Sequence, residues 1–185
     1  MFPPRDELVS RLGRVRLVAV DGPSGAGKST FAARLRKDFV SRGLRCEVIG
    51  TDDFATWDDP VAWWPRLVSS VFGPLAVGEP ARYRKLDWTT GSPEPGDLVT
   101  VEPPEVLILE GVSAARVSIR PRLSWVYWLD GPDEHTRLER VVARDGEGTR
   151  CHLKRWQDFE RGWFALDRTR EYVHLNGLVL GGQTA

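Results

Sequence analysis

The sequence predicts an α/β fold in which a five-stranded parallel sheet carries helices on both faces. Short apolar runs rich in β-branched or aromatic residues occupy residues 15–20, 105–109 and 124–129. They lack the polar alternation of a strand that has one face in water, so each is expected to be buried on both sides. Residues 28–40 instead place apolar side chains at helical spacing. Buried strands that alternate with such helices form a parallel sheet, because each connection returns across one of its faces.

The rest of the chain completes this order. A second strand is expected over residues 45–50, and a helix begins at Pro60. Residues 73–80 contain two Gly and two Pro, which argues against regular structure there. The other predicted elements are a leading helix over residues 6–12, a helix over residues 132–144, a helix over residues 152–170 interrupted near Gly162, and a last strand over residues 172–180 broken at Asn176-Gly177.

Two extended runs, residues 82–90 and 97–101, flank a turn rich in Gly and Pro. This pattern predicts a small β-hairpin inserted over about residues 81–102. The sequence shows no internal repeat, low-complexity segment or linker. We therefore expect residues 1–185 to form one domain.

Composition and charge exclude several function classes. The chain has 26 basic and 26 acidic side chains, and a nucleic-acid or membrane-surface partner would require a basic face. The first residues show no apolar signal segment, and no run approaches the roughly 18 apolar residues of a membrane span. Two cysteines are too few for a metal site or a disulfide scaffold. We expect a cytoplasmic protein with neither nucleic acid nor membrane as a partner, and its oligomeric state stays open.

The most specific motif is Gly-Pro-Ser-Gly-Ala-Gly-Lys-Ser at residues 22–29, between a predicted strand and a predicted helix. It matches the G-x-x-x-x-G-K-[ST] phosphate loop, whose backbone N–H groups surround phosphates at a helix N-terminus. Lys28 is expected to reach the β- and γ-phosphates, and Ser29 to bind Mg²⁺. A turn that merely caps a helix would not require the Lys-Ser pair. The predicted ligands are ATP and Mg²⁺, and the predicted ATP-binding residues are Gly22, Pro23, Ser24, Gly25, Ala26, Gly27, Lys28, Ser29 and Thr30.

Three features favour a kinase over the other enzymes that share this loop. The guanine-reading Asn/Thr-Lys-x-Asp motif of GTPases does not occur, and the chain is short for a motor ATPase. In addition, Asp52 and Asp53 directly follow the second predicted strand, at the sheet edge where ligands bind. A carboxylate there can accept the proton of an attacking hydroxyl. Adjacent aspartates can also cap the next element, so the pair alone leaves both interpretations open.

These motifs together resemble the uridine kinase group of P-loop kinases, which has phosphoribulokinase and pantothenate kinase as relatives. The resemblance runs from about residue 15 to about residue 177. It rests on residues 20–30, Thr51-Asp52-Asp53-Phe54, Trp57-Asp58-Asp59-Pro60 and Leu109-Glu110-Gly111-Val112. It implies the P-loop NTPase fold, with Asp52 as general base, Asp58 as a ligand of the acceptor hydroxyls and Glu110 beside the metal with Ser29.

Residues 137–145 resemble the Arg-rich lid of the same family, which we predict over about residues 137–155. Arg137, Arg140 and Arg144 recur at helical spacing and can share one face. Guanidinium groups stabilise the charge that spreads over phosphoryl oxygens, and closure would exclude water. We therefore add Arg140 and Arg144 to Asp52 and Lys28 as catalytic residues. The alternative is a solvated charged face.

The acceptor side departs from the family pattern. Leu86 and Gly91 stand where the family has a Tyr and a His that read a pyrimidine. Aromatic residues fall in the segments expected to wall this site, although Trp63 and Trp64 are better interpreted as core. The predicted substrate residues are Trp57, Asp58, Tyr83, Asp87 and Trp88.

The function predicted from these residues is ATP-dependent transfer of a phosphoryl group to a hydroxyl of a small molecule. A nucleoside is the leading acceptor. The alternatives are a kinase of a sugar, a vitamin precursor or an antibiotic, and a nucleotide-binding regulatory module that transfers no phosphate.

Overall fold

A computed structural model describes residues 8–181, and its centre is a parallel sheet of five strands. In chain order these are β1 Arg16–Asp21, β2 Cys46–Gly50, β5 Val106–Glu110, β6 Leu123–Gly131 and β7 Leu178–Gly181. They lie in the order β2-β5-β1-β6-β7, and every adjacent pair is parallel. The predicted five-stranded parallel sheet is confirmed.

The remaining elements cover the sheet or project from it. The helices are α1 Lys28–Ser41, α2 Trp64–Leu67, α3 Gly73–Ala76, α4 Glu134–Asp145, α5 Arg150–Asp167 and α6 Thr169–Asn176, and α2 joins α3 through a π-helical segment, Val68–Phe72. The predicted hairpin is confirmed as an antiparallel pair, β3 Ala81–Asp87 and β4 Glu94–Val101. No helix within residues 8–181 is both long and apolar enough to cross a bilayer.

Both faces of the sheet are buried, which explains the continuous apolar runs in the sequence. On β1, Val18 and Val20 join a core cluster with Leu35 and Phe39 of α1. The alternate β1 side chains, at positions 17 and 19, join the larger cluster on the other face. Since successive strand residues point to opposite faces, the central positions of a strand between two cores are all apolar.

Two predictions near the edges of the core are wrong. Residues 8–12 form no helix, and Leu12 instead pairs with Val15 in an isolated β-bridge; residues 6 and 7 lie outside the described part of the chain. Residues 73–76 are helical, although their Gly and Pro content predicted irregular structure. Pro74 stands in the first turn of α3, where the missing N–H would have no helical partner in any case.

The C-terminal elements also differ from the prediction. Helix α5 runs through Gly162 without a break and ends at Asp167; the next residue, Arg168, has a left-handed φ of 53°. The predicted strand over residues 172–180 is a helix up to residue 176 and a strand only from residue 178. The break falls at Gly177 as expected, because a Cβ there would lie 2.2 Å from the carbonyl oxygen of Val126.

Candidate active site

A cavity of about 620 Å³ opens where β1, β2 and β5 end, at the carboxyl edge of the sheet. Its lining includes Asp52 after β2 and Glu110 at the end of β5. From the predicted ATP-binding residues it includes Ser24, Gly25, Gly27, Lys28, Ser29 and Thr30, whereas Gly22, Pro23 and Ala26 lie outside it. The lid helix α4 contributes Arg140 and Arg144. Residues from four separate parts of the sequence thus meet in one cavity.

The phosphate loop depends on glycine at two contacts. Gly22 and Gly25 have positive φ values of 144° and 76°. A Cβ on Gly22 would lie 2.3 Å from the carbonyl oxygen of Leu129, and one on Gly25 would lie 2.6 Å from that of Arg137. The loop is therefore held closely between β6 and the lid helix. Lys28, at the start of α1, donates a hydrogen bond from Nζ to the carbonyl oxygen of Pro23 at 2.9 Å, across the loop.

A buried carboxylate, Asp21, fixes the start of this loop. Its Oδ1 accepts hydrogen bonds from the backbone N–H groups of Gly22 at 2.7 Å and Ser113 at 3.1 Å, and its Oδ2 accepts one from Ala115 at 2.8 Å. Burial raises the pKa of the Asp21 carboxyl to about 7, and the hydrogen bonds from Ala115 and Gly22 oppose that shift. The side chain ties the phosphate loop to the segment that follows β5.

A second buried carboxylate, Glu160, was not found from the sequence. It lies on α5 with 2 % of its surface exposed, and it accepts hydrogen bonds from the Ser24 backbone N–H at 3.0 and 3.1 Å and from the Ser24 hydroxyl. Burial raises the pKa of Glu160, while the positive charge of Lys28 lowers it. The sequence holds one signal for it, which is the position of Glu160 on the helix. Residue 160 follows the buried Trp156 by one helical turn, where an apolar side chain is expected instead of a carboxylate.

The donor set near Lys28 fits a Mg²⁺–nucleotide complex. The Ser29 hydroxyl donates to Oε1 of Glu110 at 3.0 Å, so a hydroxyl and a carboxylate oxygen lie side by side at the N-terminus of α1. Burial raises the pKa of Glu110, which the Lys28 charge opposes. Hard oxygen ligands of this kind suit Mg²⁺, which usually keeps waters and binds substrate phosphates as well. Within the described residues no three His, Cys, Asp or Glu side chains group as a metal site.

The two adjacent aspartates point to different places. Both belong to a short 3-10 helix, Thr51–Asp53, that directly follows β2. Asp52 is exposed and lines the cavity. Asp53 accepts a hydrogen bond from the Tyr83 hydroxyl at 2.7 Å and so contacts the hairpin. Of the pair, only Asp52 lines the cavity.

The arginines of the predicted lid also differ in where they lie. Arg140 and Arg144 line the cavity, and Arg144 is held by Asp145 through contacts of 2.5 Å (Nε to Oδ1) and 2.7 Å (Nη2 to Oδ2). The hydrogen bond to Asp145 raises the pKa of Arg144, and the negative charges of Asp52 and Glu110 add to the shift. Arg137 does not share this position, because its Nη1 donates to the carbonyl oxygen of Pro132 at 2.7 Å.

The predicted substrate residues are only partly brought together. Trp57 and Trp88 line the cavity. Asp58 is exposed outside the lining, Tyr83 is buried as the partner of Asp53, and Asp87 accepts hydrogen bonds from the backbone and hydroxyl of the neighbouring Thr89. Trp156, which the sequence did not single out, completes the wall from α5.

Comparison with known proteins extends these observations. No protein-family model and no curated protein matches the sequence. Among solved structures, a possible uridine kinase from Bacillus stearothermophilus is 21 % identical, with a TM-score of 0.54 over 80 % of this chain and 86 % of its own. A candidate fructose transport system kinase from Silicibacter sp. TM1040 is 20 % identical, with a TM-score of 0.56 over 95 % and 94 %.

The chain has the fold of uridine kinase-like P-loop kinases. This confirms the fold that the motifs implied. Identities near 20 % carry no substrate across, so the function has to be argued from the cavity itself.

Proposed function

We propose that this protein is an ATP-dependent phosphotransferase that moves the γ-phosphoryl group of ATP to a hydroxyl of a small molecule. The observation that carries the proposal is the position of Asp52 in the same cavity as Lys28 and Arg144. A phosphate loop alone supports nucleotide binding. A carboxylate and guanidinium groups that line the same cavity as this loop support transfer to an alcohol.

The chain's own residues account for binding of the triphosphate. The loop amides at the N-terminus of α1 and the Lys28 ammonium group stabilise negative charge on its phosphates. Ser29 and Glu110 would hold Mg²⁺, which neutralises charge on the β- and γ-phosphates when it is bound. For Lys28 to reach the phosphates, its Nζ must leave the carbonyl oxygen of Pro23.

In the transfer step Asp52 accepts the proton of the acceptor hydroxyl while that oxygen forms its bond to the γ-phosphorus. The bond from the γ-phosphorus to the bridging oxygen of ADP breaks in the same displacement, so ADP leaves with that oxygen. Arg140 and Arg144 stabilise the charge on the transferring group, and closure of α4 over the loop excludes competing water.

A nucleoside is the first acceptor class to test. Its ribose supplies a primary hydroxyl for Asp52, and its base is a flat ring of the kind that Trp57 and Trp88 can contact. Sugars, vitamin precursors and antibiotics with a free hydroxyl form the second group.

The test is acceptor-stimulated ADP formation, measured with a coupled assay across these two groups. We expect strong stimulation by one compound class and little ATP hydrolysis without acceptor. Asp52→Asn should keep ATP binding and lose phosphotransfer by about 10²-fold or more. Asp97→Asn, which changes an aspartate on the hairpin whose side chain is 88 % exposed, is the matched control and should keep full activity. If no acceptor stimulates ADP formation, or if Asp52→Asn stays active, the proposal is wrong.

A further inference from the structure

Three tryptophans form one end of the cavity, and we call Trp57, Trp88 and Trp156 the tryptophan wall. The rings of Trp88 and Trp156 stand nearly perpendicular to that of Trp57, at interplanar angles of 83° and 87°. The ring centroids are 4.9 and 5.7 Å apart. His152 stacks on Trp57 at 4.9 Å, which fixes the orientation of that ring. The wall comes from three separate segments of the chain.

The indole N–H groups of this wall are not available to a ligand. Trp57 donates from Nε1 to the carbonyl oxygen of Gly91 at 3.0 Å, and Trp88 donates from Nε1 to the carbonyl oxygen of Asp52 at 2.9 Å. The Nε1 of Trp156 has no partner, but it is buried beneath the cavity surface. The wall therefore presents ring carbons rather than hydrogen-bond donors.

The side chains around the wall have the same character. Thr149 donates its hydroxyl hydrogen to the carbonyl oxygen of Gly146 at 2.8 Å, and Thr89 donates its own to the Asp87 carboxylate. Val141 and Leu153, which belong to the apolar cluster packed against Trp57, also line the cavity. A ligand that needs several hydrogen bonds to the edge of its ring would find few donors at this end of the cavity.

Resting on the proposed function, we propose that the tryptophan wall binds the non-reacting part of the acceptor as a neutral flat ring. The ring is held by contact with its faces, and its edge is not read by hydrogen bonds. The ring is expected to be neutral because the three tryptophans carry no charged group, and burial of an unpaired charge against them would cost desolvation energy. The reacting hydroxyl lies towards Asp52, at the phosphate end of the wall.

This mode of binding sets the specificity of the site. Stacking and apolar burial are similar for all flat rings of one size, whereas hydrogen-bond readout distinguishes rings by their edges. The site should therefore reject an acceptor without a ring and tolerate changes at the ring edge. It is a specificity opposite to that of a site built to recognise one base.

The test uses ribosides that share one sugar and differ only in its substituent. Binding of phenyl β-riboside, methyl β-riboside, uridine and N3-methyluridine is measured by calorimetry with Mg²⁺ and a non-hydrolysable ATP analogue present. Phenyl riboside should bind about 10-fold or more tightly than methyl riboside, since stacking of one ring contributes that much or more. Uridine and N3-methyluridine should agree within about 3-fold, because methylation changes only the edge.

Two substitutions of Trp88 separate its ring from its N–H group. Trp88→Phe and Trp88→Leu both lose the bond to the Asp52 carbonyl, but only Trp88→Phe keeps a flat ring. We expect Trp88→Phe to retain most of the preference for phenyl over methyl riboside and Trp88→Leu to lose most of it. Trp125→Phe, a tryptophan of β6 outside the cavity lining, is the control and should leave the preference unchanged.

The outcomes are distinguishable from those of the proposed function. Equal binding of phenyl and methyl ribosides, failure of both ring-bearing classes to bind, or a loss above about 10-fold on N3-methylation would each overturn the wall as a ring site. If the ring-bearing probes bind as expected but no hydroxyl compound stimulates ADP formation, the wall stands and the kinase proposal fails. If a ringless alcohol is phosphorylated efficiently, the kinase proposal stands and the wall fails.

Discussion

The buried carboxyl group of Asp21 should make the stability of the protein depend on pH in a particular direction. Burial raises its pKa from 3.8 to about 7 in the folded state. The folded state therefore binds a proton that the unfolded state has released over the range between these two values. The contribution of Asp21 to stability is complete below about pH 4 and is lost as the pH rises through about 7.

The size of the effect follows from the two pKa values. Between about pH 5 and about pH 8, the linkage lowers the free energy of unfolding by about 2.5 kcal/mol. Asp21→Asn removes the titration, so its stability relative to wild type should improve by that amount over the same range. The absolute stability of Asp21→Asn should be lower near pH 5, because its amide nitrogen would face the backbone N–H of Ala115, which now donates to Oδ2.

The assay is urea unfolding of wild type and of Asp21→Asn at about pH 5 and about pH 8. The quantity compared is the difference between their free energies of unfolding, and how that difference changes from the lower to the higher pH. Asp133→Asn is the matched control. Asp133 caps α4 by accepting hydrogen bonds from the Thr136 hydroxyl at 2.7 Å and from the Thr136 N–H at 2.9 Å. These bonds, the one from the hydroxyl first, lower the pKa of Asp133, so its contribution to stability is lost only below about pH 4. The reasoning would be refuted if the difference in free energy of unfolding between Asp21→Asn and wild type did not change with pH, or if it moved in favour of wild type as the pH rose.

Two further predictions concern the phosphate loop. Glu160→Ala should lower the free energy of unfolding by about 1–3 kcal/mol and weaken ATP binding, because the Ser24 N–H loses its partner. Glu160→Gln keeps one accepting oxygen and should recover most of the stability and most of the ATP affinity. An unchanged melting temperature and ATP affinity in Glu160→Ala would contradict the anchoring role of Glu160. Gly25→Ala should abolish ATP binding in a calorimetric titration, because its Cβ would meet the Arg137 carbonyl, whereas Gly43→Ala, also at positive φ but in open space, should cost only about 1 kcal/mol and keep binding.

The sheet could be predicted because each buried strand is a run of consecutive apolar residues that is visible in the sequence itself. A strand between two cores is expected to be apolar along its central positions, and residues 17–20 and 106–109 show that directly. The errors arose where local signals conflict with the surroundings. Residues 169–176 contain Tyr172 and Val173, which favour a strand, yet they form α6, whose Val173 is fully buried against the core. Packing of that face outweighs the weak intrinsic preference.

The residues of the candidate site also fall into those that the sequence could reveal and those that it could not. The phosphate-loop residues could be predicted because their spacing along the chain carries the chemistry, whereas Asp52 and Glu110 were predicted from a resemblance to the motifs of a known kinase family. Asp21 and Glu160 could not, since each acts on the loop through contacts that only the folded chain creates. Asp52 and Asp53 show the limit of reasoning from sequence, because two adjacent residues of the same type give no indication of which one the Tyr83 hydroxyl will bind.

Helix α5 connects the two halves of the site. Trp156, in the tryptophan wall, and Glu160, on the phosphate loop, are four residues apart and so lie on one face of the same helix. Transfer requires the acceptor oxygen and the γ-phosphorus to approach within about 3–3.5 Å in line. A single rigid helix that anchors both the loop and the wall fixes the distance between them.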